Sequence, residues 1–162
     1  MFKKIAIAVP MTLLALASTG VFAAGEAAHS IQLTAHVPTT SFYVQPVNSD
    51  VVNVPQVLVY DAISSTFKPL VESFDTKNTA GSIHASIEQA TTYLFNGSTK
   101  IDLDVEFNGV KLGATPVQVV TAQNALTGSR VVLEITPVAA PSTGYVPGDY
   151  TGTVAMTFDS VI

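Results

Sequence analysis

Hydrophobic and polar residues alternate with period two along most of the chain, and no long stretch keeps the 3.6-residue period of an amphipathic helix. In a first run, Ile31, Leu33, Ala35 and Val37 share one face, Gln32, Thr34 and His36 the other, and Pro38 closes it. Residues 42–47 and 56–60 predict short strands separated by the turn chemistry of Asn48-Ser49-Asp50. Pro55 stands where a strand would begin, a place where its missing N–H is tolerated. Residues 67–74 and 82–87 predict two more strands around a polar turn at 75–79. The clearest local signal follows: Ile101, Leu103, Val105 and Phe107 alternate with Asp102, Asp104, Glu106 and Asn108. Asn108-Gly109 then supplies the two positive-φ positions of a type I′ turn, and Val110, Leu112 and Ala114 resume the pattern. After a less regular stretch to Ser129 come Val131, Leu133 and Ile135. A loop rich in Pro, Ala and Ser over 137–147 precedes a last strand that places Tyr150, Val154, Met156 and Phe158 on one face. Seven or eight short strands punctuated by Gly, Pro and Asn predict an all-β sandwich with no internal repeat.

The first residues do not belong to that sandwich. Lys3 and Lys4 precede an apolar run over 5–16, and small residues lead to Val21-Phe22-Ala23-Ala24, the layout of a secretory leader cleaved after Ala23 or one residue later. The run is too short to span a ~30 Å hydrocarbon core, and Pro10 interrupts it. The expected organisation is a leader at 1–23, an N-terminal strand segment at 24–38 and a single sandwich domain at 39–162.

Composition narrows the chemistry. Charged residues make up 12% of the chain, and losing Lys3 and Lys4 leaves five basic side chains against twelve acidic ones, moving the formal charge from −5 to −7. An acidic, Arg-poor surface argues against nucleic acid and anionic membranes as partners. There is no cysteine, which excludes thiol catalysis, Cys-ligated zinc and iron–sulfur clusters. Asp102, Asp104 and Glu106 form the densest carboxylate group. Alternate residues of one strand stand in a row and do not converge as the six to eight oxygens of a calcium site must, so a solvated face is expected. His29, His36 and His84 form no metal-binding pair. No Gly-x-Ser-x-Gly elbow, Ser-x-x-Lys pair or phosphate-binding loop is present, and Asn96-Gly97-Ser98 is expected as a turn rather than a glycosylation site. No catalytic residue, cofactor or metal is expected, and the chain is not read as an enzyme.

The N-terminal run stands apart. Residues 24–30 are small and polar, and directly behind them sit four apolar side chains in alternation that need a groove. Pattern alone leaves two readings open: the first strand of this sandwich, or a strand added to another copy.

Three segments carry a family resemblance. Ser30-Ile31-Gln32-Leu33-Thr34-Ala35-His36-Val37-Pro38 is similar to the donor strand of the major pilins of the alternate-chaperone (class 5) fimbriae, the group of the colonisation-factor and cable pilins. Val57-Leu58-Val59-Tyr60 followed by Ser65-Thr66-Phe67 resembles a second region of that family. Pro147-Gly148-Asp149-Tyr150-Thr151-Gly152-Thr153-Val154 resembles its Gly-x-Tyr-x-Gly ending, and the absent disulfide fits the same group.

The resemblance implies an immunoglobulin-like sandwich that lacks its last strand and is completed by a neighbour. It implies a structural major subunit of an adhesive fimbria on the cell surface, exported through the periplasm. A periplasmic chaperone would fill the gap first, and an outer-membrane usher would exchange it for the next subunit's strand. Ile31, Leu33, Ala35 and Val37 would be the donor contacts, and Tyr150, Val154, Met156 and Phe158 would lie near the acceptor groove. The implied partners are further copies in a head-to-tail polymer and a tip adhesin, with a host receptor left open. The alternative is a secreted β-sandwich module that binds host glycan or protein directly, for which clustered exposed aromatics would be the mark.

Overall fold

The computed structural model describes residues 41–89 and 92–162. The leader, its cleavage site at Ala23 and the run of Ile31, Leu33, Ala35 and Val37 lie outside the described residues. Along the described chain the elements are β1 (Phe42–Pro46), α1 (Asp50–Asn53), β2 (Tyr60–Asp61), β3 (Thr66–Phe67), β4 (Leu70–Asn78), β5 (Ser82–Ile87), β6 (Thr92–Phe95), β7 (Lys100–Phe107), β8 (Val110–Lys111), β9 (Val117–Val120), α2 (Ala122–Thr127), β10 (Ser129–Pro137) and β11 (Met156–Val161).

Two sheets face each other in an all-β, immunoglobulin-like sandwich. The larger runs β1-β4-β10-β7-β6, with β8 pairing β7, and the smaller runs β11-β5-β9. Every strand pairing described is antiparallel. The period-two pattern sets the faces. Phe74, Leu103, Val105, Phe107, Leu133 and Ile135 turn inward from the large sheet, and Ile83, Ala85 and Ile87 from the small one. The Phe107 ring, wholly buried, meets Phe74 at 5.5 Å and Phe158 of β11 at 4.9 Å, which ties the sheets together.

The predicted β7–β8 hairpin forms as expected, with Asn108 at φ 55° and Gly109 at φ 73°. The predicted turn at 75–79 is corrected: β4 runs on through Asn78, and the chain turns over 79–81. Asp75 and Lys77 face outward, while Thr76 and Asn78, each 1% exposed, face inward and stay satisfied. The Thr76 hydroxyl donates to Ser129 O at 2.9 Å, and Asn78 Nδ2 donates to Ser82 O at 2.8 Å. Four consecutive polar residues therefore form half a strand. The predicted strand at 56–60 is corrected to an irregular segment that follows α1 and reaches the two-residue β2 only at Tyr60.

Registers fix the two ends of the sandwich. Phe42 pairs with Asn78, and Val161 pairs with Ser82, so the start of β1, the 79–81 turn and the C-terminus share one end. Ile135 pairs with Leu70, and Met156 pairs with Ile87, so the start of β4, the 138–147 loop and the start of β11 share the other. β3 ends at Phe67, three residues before β4 begins at Leu70, which places the β2–β3 hairpin at this second end. Nine strand residues in β4 set the ends ~30 Å apart.

Candidate functional site

Among the described strands β11 is the edge of the small sheet and pairs only with β5. Its first residue, Met156, borders a cavity shared with Phe74 of β4 and with Leu133 and Ile135 of β10. The cavity is about 400 Å³ in volume and more apolar than polar in its lining. Phe74, Leu133 and Ile135 form its floor, Val154 and Met156 one wall, and Val51 and Leu58 the other. Several of these are buried core residues of the large sheet, so the cavity reaches into the interior of the sandwich. On the opposite side, Asn108 Nδ2 donates to Val119 O at 2.7 Å and links the β7–β8 turn to β9.

Of the four residues predicted for the last strand, Val154, Met156 and Phe158 pack against the core on one face. The strand itself is shorter than predicted and begins at Met156. Tyr150 is corrected to a position in the preceding loop. Its hydroxyl donates to Val146 O at 2.8 Å and shares a hydrogen bond with the Thr99 hydroxyl at 2.8 Å. Thr151 exchanges both backbone hydrogen bonds with Phe95 at the edge of β6. The Gly-x-Tyr-x-Gly segment thus fastens the chain to the large sheet before it crosses to the small one, and in crossing it forms the groove wall.

The other wall, residues 51–58, was not anticipated. Its signal was a density of β-branched residues (Val51, Val52, Val54, Val57, Val59) that reads equally as strand. These side chains line the groove or face solvent, and Val57 is 83% exposed. Glu72 stands in register with buried Leu133.

The carboxylates of β7 face away from the core as expected. Asp102 lies 3.0 Å from Lys100 Nζ, Asp104 pairs with Lys111, and Glu106 stands opposite Glu134. Among the described residues no three acidic or histidine side chains converge on a point. Arg130 holds Asp75 in a two-pronged pair at 2.8 and 3.0 Å, and the guanidinium lowers that carboxyl below its ordinary pKa. His84 sits in β5 opposite Asp159 of β11.

The aromatic residues divide in a way the sequence did not reveal. Phe74 and Phe107 are core, but Tyr60, Tyr93 and Phe95 are 41–45% exposed. Tyr60, Phe67 and Tyr145 form a cluster with ring centroids 5.1–6.1 Å apart at the groove end of the molecule.

A family model described as the CS1 type fimbrial major subunit matches residues 27–159. Among solved structures, the CooA pilin subunit from enterotoxigenic Escherichia coli is similar with a TM-score of 0.56 and 18% sequence identity, over 72% of this chain and 86% of that one. At that identity the likeness is one of fold. No curated protein matches.

Proposed function

The chain belongs to the CS1-type fimbrial major subunit family, and from that premise we propose that it polymerises by seating its N-terminal strand, Ile31 to Val37, in the open groove of another copy. Membership makes it a structural subunit of a cell-surface fimbria, in a family of structural proteins rather than enzymes. The mechanism of assembly is the proposal.

The observation that supports it is one side of the sandwich, where β11, at the edge of its sheet among the described strands, lies beside an apolar channel lined by core residues. An unpaired edge next to an apolar channel is a template for strand addition. The candidate donor suits it in length, since seven extended residues reach ~20 Å against ~17 Å for the six of β11. It also suits it in pattern, with four apolar side chains on one face for the groove and Gln32, Thr34 and His36 on the other for solvent. Burying Ile31, Leu33 and Val37 contributes ~1.5–3 kcal/mol each. In this reading the leader is removed after Ala23 or Ala24, a periplasmic chaperone occupies the groove first, and an outer-membrane usher exchanges it for the next copy. A tip adhesin begins the fibre.

Leu33→Asp tests the proposal. A carboxylate is costly in an apolar channel. Fibres should be lost while chaperone-bound subunit still accumulates, because the variant's own groove is unchanged. Fibres of normal number and length, seen by electron microscopy, would remove residues 31–37 as the donor.

A further inference from the structure

The β2–β3 hairpin is an exposed projection that carries an isoleucine at its tip, at the end of the molecule where β4 begins. Ile63 at its tip is 99% exposed, and Val57 beside its base is 83% exposed. The tip is braced: Asp61 Oδ1 accepts from Ile63 N at 2.9 Å and Ser64 N at 3.4 Å, and the Ser64 and Thr66 hydroxyls are 2.8 Å apart. Beneath it the Tyr60–Phe67–Tyr145 cluster is anchored by the Tyr145 hydroxyl, which donates to Val138 O. A braced loop that presents isoleucine on an aromatic bed has the chemistry of a contact surface.

We propose that this hairpin is the seat for the body of the next copy, which rests on it with its opposite end, the 79–81 turn and the C-terminal Ile162. The inference deepens the donor-strand reading above and rests on it. Only residues 38–40 separate Val37 from Ser41, so the seated strand and the body that carries it lie at most ~14 Å apart. A tether that short forces contact between bodies, and the direction of the strand decides where.

Antiparallel seating continues the pairing of every described strand and is the more stable geometry. β11 runs from the groove end to the Ser41 end, so an antiparallel donor brings Val37 out at the groove end, beside the hairpin. The arriving body presents the end from which its own chain emerges: Ser41, bonded to Thr79, with exposed Ala80 and the fully exposed Ile162. One end always meets the other, so the contact is heterologous and repeats without closing, as a filament requires. Parallel seating would bring two Ser41 ends together, and propagation would stop.

The absence of cysteine from the chain makes the contact testable by cross-linking. Ile63→Cys is combined with Ala80→Cys, and separately with Ile162→Cys, in fibres assembled with chaperone and usher. These are treated with a short bis-maleimide, which tolerates separations wider than the ~4.4–6.8 Å Cα spacing of a disulfide. Denaturing electrophoresis should show a ladder to tetramer and beyond with at least one pair, and no ladder with any single variant. Loss of fibres in Ile63→Cys alone, with the subunit still folded by circular dichroism, would also support the contact. Normal fibres with no ladder from either pair would overturn it, as would dimers from Ile63→Cys alone, which mark a symmetric contact. Failure of the donor-strand reading itself is read independently, from normal fibres in Leu33→Asp.

Discussion

At Gly152 a β-carbon would stand 2.4 Å from the carbonyl oxygen of Tyr93 and 3.0 Å from Leu94 Cδ2. The chain crosses β6 so closely there that only hydrogen fits. Two residues earlier, Tyr150 fixes the same crossing through its two hydroxyl hydrogen bonds. Gly152→Ala must push the crossing segment off β6 and should lower stability by ~1–3 kcal/mol, the usual cost of overpacking. Tyr150→Phe keeps the ring and loses both bonds, a cost of ~0.5–1.5 kcal/mol each. Both should appear as lower urea midpoints with unchanged slope, and the alanine variant should also assemble poorly because it displaces the groove wall. The motif was legible as a family mark, but its work was not, since close approach between backbones leaves no pattern in one sequence. Thr76 and Asn78 were hidden for a related reason: their hydrogen bonds to Ser129 and Ser82 are tertiary, and sequence alone shows only polar side chains where a core face was sought.

At the level of elements, what could be read depended on how local its cause was. The β7–β8 hairpin was visible because alternation and an Asn-Gly turn agree over ten residues. β9 and α2 were passed over as irregular: four strand residues and a six-residue helix are too short to establish a period. Thr121 caps that helix by accepting from Asn124 N at 3.4 Å. The hairpin also carries a link that its turn chemistry does not announce, the Asn108 side chain bonded to β9. Two substitutions separate the roles. Asn108→Gly preserves positive φ and loses only the bond to Val119, so it should cost about 1 kcal/mol. Gly109→Ala preserves that bond and forces a β-carbon into the left-handed region, at ~1–2 kcal/mol. If thermal melts rank Asn108→Gly as harmless, the link to β9 contributes nothing and the sheets hold on that side by packing alone.

For the molecule as a whole, the sandwich class followed from strand number and spacing, while a groove was expected only through the family resemblance, because strand pattern alone does not show which edge lies beside an apolar channel. The groove is where fold and assembly meet, and a self-complemented chain tests both. Residues 31–38 are moved to follow Ile162, once with a linker of about three residues and once with about fifteen. β11 ends beside the Ser41 end, so an antiparallel strand begins where β11 stops and needs only a hairpin turn. A parallel strand must return along the length of β11 and needs a crossover of a dozen or more residues. Closure within one chain replaces dilute encounter with a millimolar-range effective concentration. With antiparallel seating, both fusions should be monomeric, refold reversibly and melt well above a chain lacking residues 24–38, and neither should extend a fibre, having no free donor and no open groove. Stabilisation by the long linker alone would show a parallel strand, which leaves donor exchange standing and removes the hairpin as the seat of the next copy. No stabilisation by either would mean that the domain is already complete, and a module that binds its target directly would then explain the partly exposed aromatic cluster better.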